Sequence, residues 1–307
     1  MFRKLAFVAS LMLIIASCNQ KNQDQIKEQA RKDLETAKAA LAQLETATLN
    51  GKLDTTQFRT FSNNITTILT NLERADAYAM RGWARYRLTE TDAALTDFNK
   101  ALDLDKTTLA ALTGRAALYE ARGNHADALV DLDKAVAVMP SDATLYNSRA
   151  SIKLKIEKGT DALVDYNKAI ELNSKVDGFY FNRANAYVGL KKYEEAKTDY
   201  EKAFNLNHNN AKAYAGRANV FYQKNLFKEA IKDYDMAISI EPNYAEAWRN
   251  RGYNKLKIND LESAVRDITK ALDINEDDKL AYQFRAEVLT KLNKTAEAQV
   301  DLNKAKK

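Results

Sequence analysis

The sequence is poor in the residues that interrupt helices. Among its 307 residues there are only two prolines and nine glycines. Proline and glycine are common turn residues of β-rich folds, so their scarcity favours helices joined by short connections. Because single hydrophobic cores stop growing at roughly 250–300 residues, a chain of this length is expected to hold several domains or an array of stacked units.

Cysteine and histidine are also scarce. Cys18 is the only cysteine, which excludes an intramolecular disulfide and a pair of thiols for metal or redox chemistry. The two histidines, His125 and His208, form no metal-ligand pair at helical spacing. The GxSxG motif of nucleophilic serines and the phosphate-binding GxxxxGK loop do not occur in the sequence. We therefore expect a protein that is not an enzyme and that has no metal or other cofactor.

A large excess of charge of one sign is absent as well. The formal net charge is +5, and it falls by two when Arg3 and Lys4 are left out with the N-terminal segment. A surplus this small does not indicate nucleic-acid binding, which needs a concentrated basic surface.

The N-terminus has the pattern of a targeting segment. Arg3 and Lys4 form a basic start, residues 6–17 are mostly apolar, and small residues precede Cys18. The apolar stretch is shorter than the roughly 20 residues that span a membrane. The segment resembles the signal peptide and lipobox of bacterial lipoproteins. The alternatives are an ordinary signal peptide and an uncleaved anchor.

The lipoprotein resemblance implies that residues 1–17 are removed and that Cys18 is acylated on its sulfur and on its new amino terminus. Residues 18–25 are then a short polar tether next to the membrane. Several acyl chains anchor a protein more firmly than the marginal attachment that one chain provides. Asn19, in place of the aspartate that retains lipoproteins in the inner membrane, implies an outer-membrane location facing the periplasm or the cell surface.

The remainder of the chain is periodic. The phrase DYNKAIEL, which begins at Asp165, returns in close variants at intervals of 34 residues. On this period the chain divides, without insertion or deletion, into seven units, here called repeats 1 to 7: 75–108, 109–142, 143–176, 177–210, 211–244, 245–278 and 279–307. A fixed interval of this length indicates supersecondary units stacked on one another.

Large and small residues occupy fixed positions in these units. Counted from the first residue of each unit, positions 4 and 24 are large, and positions 20 and 27 are always alanine. The alanines at position 20 are Ala94, Ala128, Ala162, Ala196, Ala230, Ala264 and Ala298. Large residues facing small ones predict a helical hairpin whose two helices interlock.

This pattern resembles the tetratricopeptide repeat, whose consensus has an aromatic residue at position 4, small residues at 8, 20 and 27, a bulky residue at 24 and often proline at 32. Proline at position 32 occurs here only as Pro140 and Pro242. The resemblance covers residues 75–307 and implies an all-α fold, a right-handed α-solenoid of seven hairpins. Helix A would occupy positions 1–14 and helix B positions 17–30, with a concave groove lined by the A helices.

Residues 26–74 do not follow the repeat, but they contain two apolar stripes at helical spacing. Asn50-Gly51 supplies a helix stop between the stripes, and Asp54 or Thr55 supplies a cap for the second helix. We predict an antiparallel hairpin that covers the exposed side of repeat 1. The alternative is a helix that binds a partner or forms a dimer.

The last repeat differs from the others on its outer side. Positions 21 and 28 of helix B are apolar in most repeats, where they are expected to cover the following repeat. In repeat 7 these positions are Gln299 and Lys306. A terminal repeat needs a polar outer face, so we expect repeat 7 to end the array.

Two charged positions are the same in every repeat. Position 7 is arginine and position 23 is aspartate, namely Arg81, Arg115, Arg149, Arg183, Arg217, Arg251 and Arg285 with Asp97, Asp131, Asp165, Asp199, Asp233, Asp267 and Asp301. A site for one ligand would differ along the array, whereas a packing contact must recur in every unit. We therefore predict a structural ladder of partly buried Arg–Asp pairs, with a ladder of ligand-binding charges as the alternative.

The positions that vary are the candidates for recognition. In the family that the chain resembles, positions 2, 5, 9, 12 and 13 of helix A line the groove. The candidate groove residues are Trp83, Tyr86, Arg87, Asn147, Ser151, Phe181, Asn185, Lys212, Asn219, Tyr222, Arg249 and Tyr253. Aromatic rings and amides of this kind suit a peptide or a partner helix. A clamp for a C-terminal carboxylate is not predicted, because only Asn182 and Lys212 match its five positions.

Together these features predict a lipid-anchored scaffold of the bacterial cell envelope that binds a protein partner or peptide segment. Small lipoproteins of the family that the chain resembles act as assembly factors for outer-membrane machines, as pilotins or as adaptors for proteases. The alternative is a structural lipoprotein that self-associates through residues 19–74 and has no dedicated peptide ligand.

Overall fold

The chain folds entirely into helices over the part that the structure describes. The computed structural model describes residues 2–49, 54–156 and 158–306, and side chains are described from residue 20 onward, apart from that of Leu49. Every regular element within these ranges is an α-helix, as the resemblance implied. The chain divides into two compact units, Met1–Pro140 and Ser141–Lys307.

The first unit contains the N-terminal helices and the helices of repeats 1 and 2. Its helices are α1 (Phe2–Leu49), α2 (Thr55–Leu69), α3 (Ala75–Arg87), α4 (Thr91–Leu104), α5 (Leu109–Ala121) and α6 (His125–Val138). Consecutive helices from α1 to α6 pack against each other. This order of packing is typical of a tetratricopeptide solenoid.

The second unit contains the helices of repeats 3 to 7. They are α7 (Ala143–Lys155), α8 (Gly159–Leu172), α9 (Asp177–Gly189), α10 (Tyr193–Leu206), α11 (Ala211–Gln223), α12 (Phe227–Ile240), α13 (Ala245–Lys257), α14 (Leu261–Ile274), α15 (Lys279–Lys291) and α16 (Thr295–Lys306). Each helix again packs on the next one in sequence. The A helices end at position 13, one residue earlier than predicted, and the B helices cover positions 17–30 in repeats 1 to 6.

Helix α1 is longer than the sequence indicated. Residues 18–25, for which a short polar tether was predicted, are helical and continue α1. Four of these eight residues are glutamine or lysine, which are good helix formers, and the Gln20 side chain bonds to Asp24 one turn later at 3.3 Å. Cys18 lies on this helix, but its side chain is outside the described residues. Its acylation therefore stays a prediction. Within the described ranges, no helix has both the length and the apolar character that crossing a membrane requires.

The turn from helix A to helix B has one conformation in six repeats. The residue at position 15 has a φ between 57° and 78°. These residues are Thr89, Gly123, Lys191, Asn225, Asn259 and Asn293. The next N–H then donates to the carbonyl at position 11, as from Glu90 to Arg85 at 2.9 Å. This left-handed C-cap satisfies a helix-end carbonyl, and asparagine and glycine adopt it most readily.

Small residues allow the helices of the first unit to approach one large ring. Phe98, at position 24 of repeat 1, is completely buried. A Cβ atom at Gly114 on α5 would lie 2.4 Å from Cζ of this ring, and one at Gly82 on α3 would lie 2.7 Å from its Cε1. Both distances are shorter than real Cβ contacts, so an alanine at either position would force the Phe98 ring to shift.

The N-terminal helices α1 and α2 share a core with helix α3 of repeat 1. Side chains from α1, α2 and α3 form a single core, which includes Leu34, Phe58, Phe61, Ile65, Ile68, Ala77 and Met80. Helix α2 starts where Asp54 accepts a hydrogen bond from the N–H of Gln57 at 3.0 Å. The Asp54 cap agrees with the sequence signal for this helix start.

Helix α2 occupies the place of a preceding helix B. Arg81 Nη1 donates to Oγ1 of Thr66 at 3.1 Å. In later repeats the same arginine atom contacts position 25 of the preceding helix B, as from Arg115 to Asn99 at 2.7 Å. In this register Phe61 and Ile68 stand at the two alanine positions. These large residues explain why the sequence did not show α2 as part of the array.

Candidate binding groove

The invariant arginines and aspartates are paired within each repeat. Each position-7 arginine donates two parallel bonds, from Nε and Nη2, to the two carboxylate oxygens of the position-23 aspartate, at 2.6–2.9 Å. The seven aspartates are only 1–5% exposed. Bidentate pairs of this kind are strong and geometrically specific. The two charges therefore pair with each other within each repeat, as expected for a structural ladder.

The third nitrogen of the arginine links neighbouring repeats of the same unit. In the first unit Arg115 Nη1 donates to Oδ1 of Asn99 at 2.7 Å, and in the second unit Arg183 Nη1 donates to Oδ1 of Asn167 at 2.7 Å. The hydrogen bonds with Asp131 raise the pKa of Arg115 above its ordinary value. Each of these arginines thus joins three helices while remaining charged.

In repeats 1 to 6, the residue at position 11 adds a further contact to the Arg–Asp pair. In three repeats it is a second cation that contacts the same aspartate, as Lys153 contacts Asp165 at 2.7 Å. The other two contacts are Arg85–Asp97 and Lys255–Asp267. In repeats 2, 4 and 5 position 11 is an aromatic ring 5.4–5.8 Å from the arginine, namely Tyr119, Tyr187 and Phe221. Ring and cation attract each other at this distance.

In the first unit, the predicted groove residues partly serve packing. Trp83 Nε1 donates to the carbonyl of Ala110 at 2.9 Å, which links repeat 1 to repeat 2. The Trp83 ring contacts the edges of Tyr86 and Phe98, with centroids 5.8 and 6.1 Å apart. Arg87 is half-buried, and its Nε has no hydrogen-bond partner in the described part of the chain. Trp83 is therefore held in place by contacts with its neighbours, and it lies next to Tyr86 on helix A of repeat 1.

In the second unit, three groove residues at position 9 bond to a tyrosine at position 24 of their own repeat. The pairs are Ser151 with Tyr166, Asn185 with Tyr200, and Asn219 with Tyr234. Burial raises the pKa of Tyr200 and of Tyr234 well above the ordinary value. Both phenols therefore stay protonated and donate to the amide oxygen. These bonds fix the orientation of each amide.

The other groove candidates of the second unit differ in how accessible they are. Asn147 Oδ1 accepts from Asn182 at 3.0 Å, and the Phe181 ring lies 5.9 Å from that of Tyr200. Lys212 is exposed. Arg249, by contrast, donates to Oδ2 of Asp278 at 2.8 Å and has a side chain only 15% exposed. The Lys212 side chain is therefore accessible to a ligand, whereas Arg249 is already paired with Asp278.

Repeats 5, 6 and 7 form an open pocket of about 190 Å³. The Phe284 ring stacks on Tyr253 with centroids 3.8 Å apart, and the ammonium of Lys257 lies 4.3 Å from the centroid of the Tyr253 ring. The Tyr222 ring lies 5.9 Å from Tyr253. The residues that line the pocket are Asn219, Tyr222, Gln223, Tyr234, Asn250, Tyr253, Asn254 and Phe284. Aromatic rings and amides therefore converge at one place on the A helices.

Part of this pocket was predicted from the sequence. Tyr222, Tyr253 and Asn219 were predicted from the groove positions of helix A. Asn250 and Phe284 at position 6 and Asn254 at position 10 were missed, because those positions were not counted among the groove positions. Asn254 could have been found from its type, since position 10 is apolar in the other six repeats.

The part of the chain that the structure describes contains no cluster of histidine, cysteine and carboxylate residues able to hold a metal ion. The pocket of repeats 5, 6 and 7 has amides and phenols but no carboxylate among its lining residues. These side chains can form hydrogen bonds and ring contacts with a ligand.

Four parts of the sequence match models of a repeat family. Residues 79–144, 179–210 and 245–278 match models described as tetratricopeptide repeat, and residues 218–259 match a model described as TPR repeat. No curated protein matches the sequence.

Several solved structures are similar to this chain. A tetratricopeptide repeat protein from Parabacteroides merdae has a TM-score of 0.63 at 20% identity, over 76% of this chain and 92% of that one. The structure of PilF from Pseudomonas aeruginosa has a TM-score of 0.60 at 20% identity, over 69% and 97% of the two chains. A chain of the APC/C hetero-tetramer Cut9-Hcn1 has a TM-score of 0.62 at 16% identity, over 81% and 49%. Identities this low show a shared fold alone.

Proposed function

The chain is a tetratricopeptide repeat protein, and we propose that it is a membrane-anchored scaffold that binds a protein partner or a peptide segment along its A helices. Proteins of this family bind protein or peptide partners. One observation supports the A helices as the binding surface. The invariant charges of the repeats pair with each other, whereas variable aromatic and amide side chains of α11, α13 and α15 line an open pocket.

The chemistry of this surface favours a peptide ligand. Tyrosine and phenylalanine rings supply apolar contact area, and amide groups pair with the N–H and C=O of an extended main chain. The hydrogen bonds from Tyr200 to Asn185 and from Tyr234 to Asn219 hold two of these amides in place before a ligand arrives. A preformed surface lowers the ordering cost of binding a flexible segment.

Photo-crosslinking in living cells tests this proposal. A benzophenone amino acid at Phe181 or Tyr222 is expected to form an adduct with the same partner, because both positions lie on A helices of the second unit. The matched control is Gln299, an exposed residue of the last helix B, which is expected to give no adduct with that partner. Mass spectrometry of the adducts identifies the partner. Equal yields from Tyr222 and Gln299 would contradict the proposed surface.

The proposed location depends on Cys18. In cells supplied with an alkyne-tagged fatty acid, the wild-type protein is expected to carry the tag and to sediment with the envelope membranes. Cys18→Ser is expected to lose the tag and to leave the membrane fraction, because an acyl anchor is the attachment that the lipobox resemblance implies. Asn19→Ser serves as the control and is expected to keep the tag. A tagged Cys18→Ser protein would disprove acylation at this residue.

A further inference from the structure

Asn254 is a polar residue in an apolar position. Position 10 of helix A is buried and apolar in the other six repeats, as Ala84, Leu118, Ile152, Ala186, Val220 and Val288. Asn254 is only 1% exposed. Its amide is therefore buried at a place where every other repeat has an alkyl side chain.

The Asn254 amide is only half satisfied. Nδ2 donates to the carbonyl of Asn250 at 2.8 Å. Oδ1 is buried and has no hydrogen-bond partner in the described part of the chain. Buried acceptors without a partner are rare in native proteins and lower stability. Asn254 is one of the residues that line the pocket of repeats 5, 6 and 7.

Asn219, which lines the same pocket, provides a hydrogen-bond donor. Asn219 Oδ1 accepts bonds both from the Tyr234 hydroxyl and from Asn250 Nδ2, the latter at 3.4 Å. Neither bond uses the Nδ2 donors of Asn219. The pocket thus contains an acceptor on Asn254 and a donor on Asn219, and a peptide group carries one donor and one acceptor.

The aromatic rings of the pocket determine which side chain of a ligand can bind there. The Tyr253 ring is already engaged by the stacked Phe284 ring and by the ammonium of Lys257. Tyr222 stands beside it with a half-buried ring. An apolar side chain next to the bound peptide group would therefore contact Tyr222 rather than Tyr253.

We propose that Asn254 anchors the main chain of an extended peptide in this pocket: a peptide N–H donates to Asn254 Oδ1, and a carbonyl of the peptide accepts from Asn219 Nδ2. The assignment rests on the proposed function, a peptide bound along the A helices, and it adds the anchoring residue and the class of group that is recognised. Recognition of the main chain fixes where the peptide sits, and the contact with Tyr222 selects an apolar side chain.

The free protein provides the first test. Asn254→Val restores the side chain that position 10 has in repeats 5 and 7, and it removes the buried acceptor. Its melting temperature, followed by circular dichroism, is expected to be roughly 2–4 °C higher than that of the wild type. The matched control Val288→Asn places an amide at the same position of repeat 7 and is expected to melt at a lower temperature. A lower melting temperature for Asn254→Val would mean that the amide is structural and would overturn the proposal.

Binding provides the second test. A library of fluorescent octapeptides, acetylated at one end and amidated at the other, is screened against the full chain, and affinities of the selected peptides are measured by anisotropy. Asn254→Val is expected to bind these peptides at least tenfold more weakly, whereas Gln299→Ala is expected to bind them within twofold of the wild type. Methylation of one main-chain nitrogen of the peptide is expected to cause a similar loss, because it removes the N–H that Asn254 accepts.

The outcomes separate this inference from the proposed function. If the library contains peptides that bind the wild type and Asn254→Val equally well, the peptide groove stands and the anchoring role of Asn254 is disproved. A raised melting temperature with unchanged affinity would mean that the acceptor holds a water molecule only, which also overturns it. If no peptide binds the wild type, the proposed peptide-binding function fails, and the anchor fails with it.

Discussion

Replacing Asp165 with alanine is expected to lower the free energy of unfolding by about 3–5 kcal/mol. Asp165 is 3% exposed and accepts two bonds from Arg149, at 2.7 and 2.8 Å, and one from Lys153 at 2.7 Å. Its removal would leave two partly buried cations without this carboxylate. A charge that has lost its buried partner costs more than the net contribution of the intact pair.

Urea unfolding of a double-mutant cycle measures this effect. Asp165→Ala together with Arg149→Ala is expected to destabilise the chain less than the sum of the two single changes, by about 0.5–3 kcal/mol. Asp161→Ala, an exposed carboxylate on the same helix, is the control and is expected to cost less than about 1 kcal/mol. Simple additivity in the cycle would show that the pair is not coupled and would count against a structural ladder.

Replacing Phe58 with alanine is expected to cost about 3–5 kcal/mol as well. Phe58 is 1% exposed and belongs to the core that α1, α2 and α3 share. Truncating the ring leaves a cavity that helices on three sides can fill only in part. The effect should appear in the melting of the first unit, because Phe58 belongs to a core that the hairpin shares with repeat 1.

The neighbouring residue supplies the control for this change. Arg59 has a side chain that is 67% exposed and a contact with Glu90 of 3.8 Å. Exposed ion pairs contribute about 1 kcal/mol or less, so Arg59→Ala is expected to melt close to the wild type. If Phe58→Ala and Arg59→Ala melted alike, the hairpin would not be a stabilising cap. Its alternative role in dimerisation or partner binding would then become the better interpretation.

The N-terminal helices show why some of the fold could not be predicted. Residues 18–25 were expected to form a short polar tether, and their helical structure was not predicted, because polar residues with good helix propensity can continue a helix that has already started. The relation of α2 to the repeats was hidden by Phe61 and Ile68, which stand where the repeats have alanine. Only the contact between Arg81 and Thr66 revealed that α2 takes the place of a helix B.

For the seven repeats, the sequence by itself determined the helical hairpins, the ends of their helices to within about a residue, and which charges are repeated. This was possible because every repeat packs on a copy of itself, so the same spacing of large and small residues has to return in each unit. The tertiary structure decided which variable residues have spare hydrogen-bonding groups. Asn254 and Asn219 lie 35 residues apart in the sequence, and no periodic pattern relates them. Their common pocket arises only when neighbouring A helices are packed side by side.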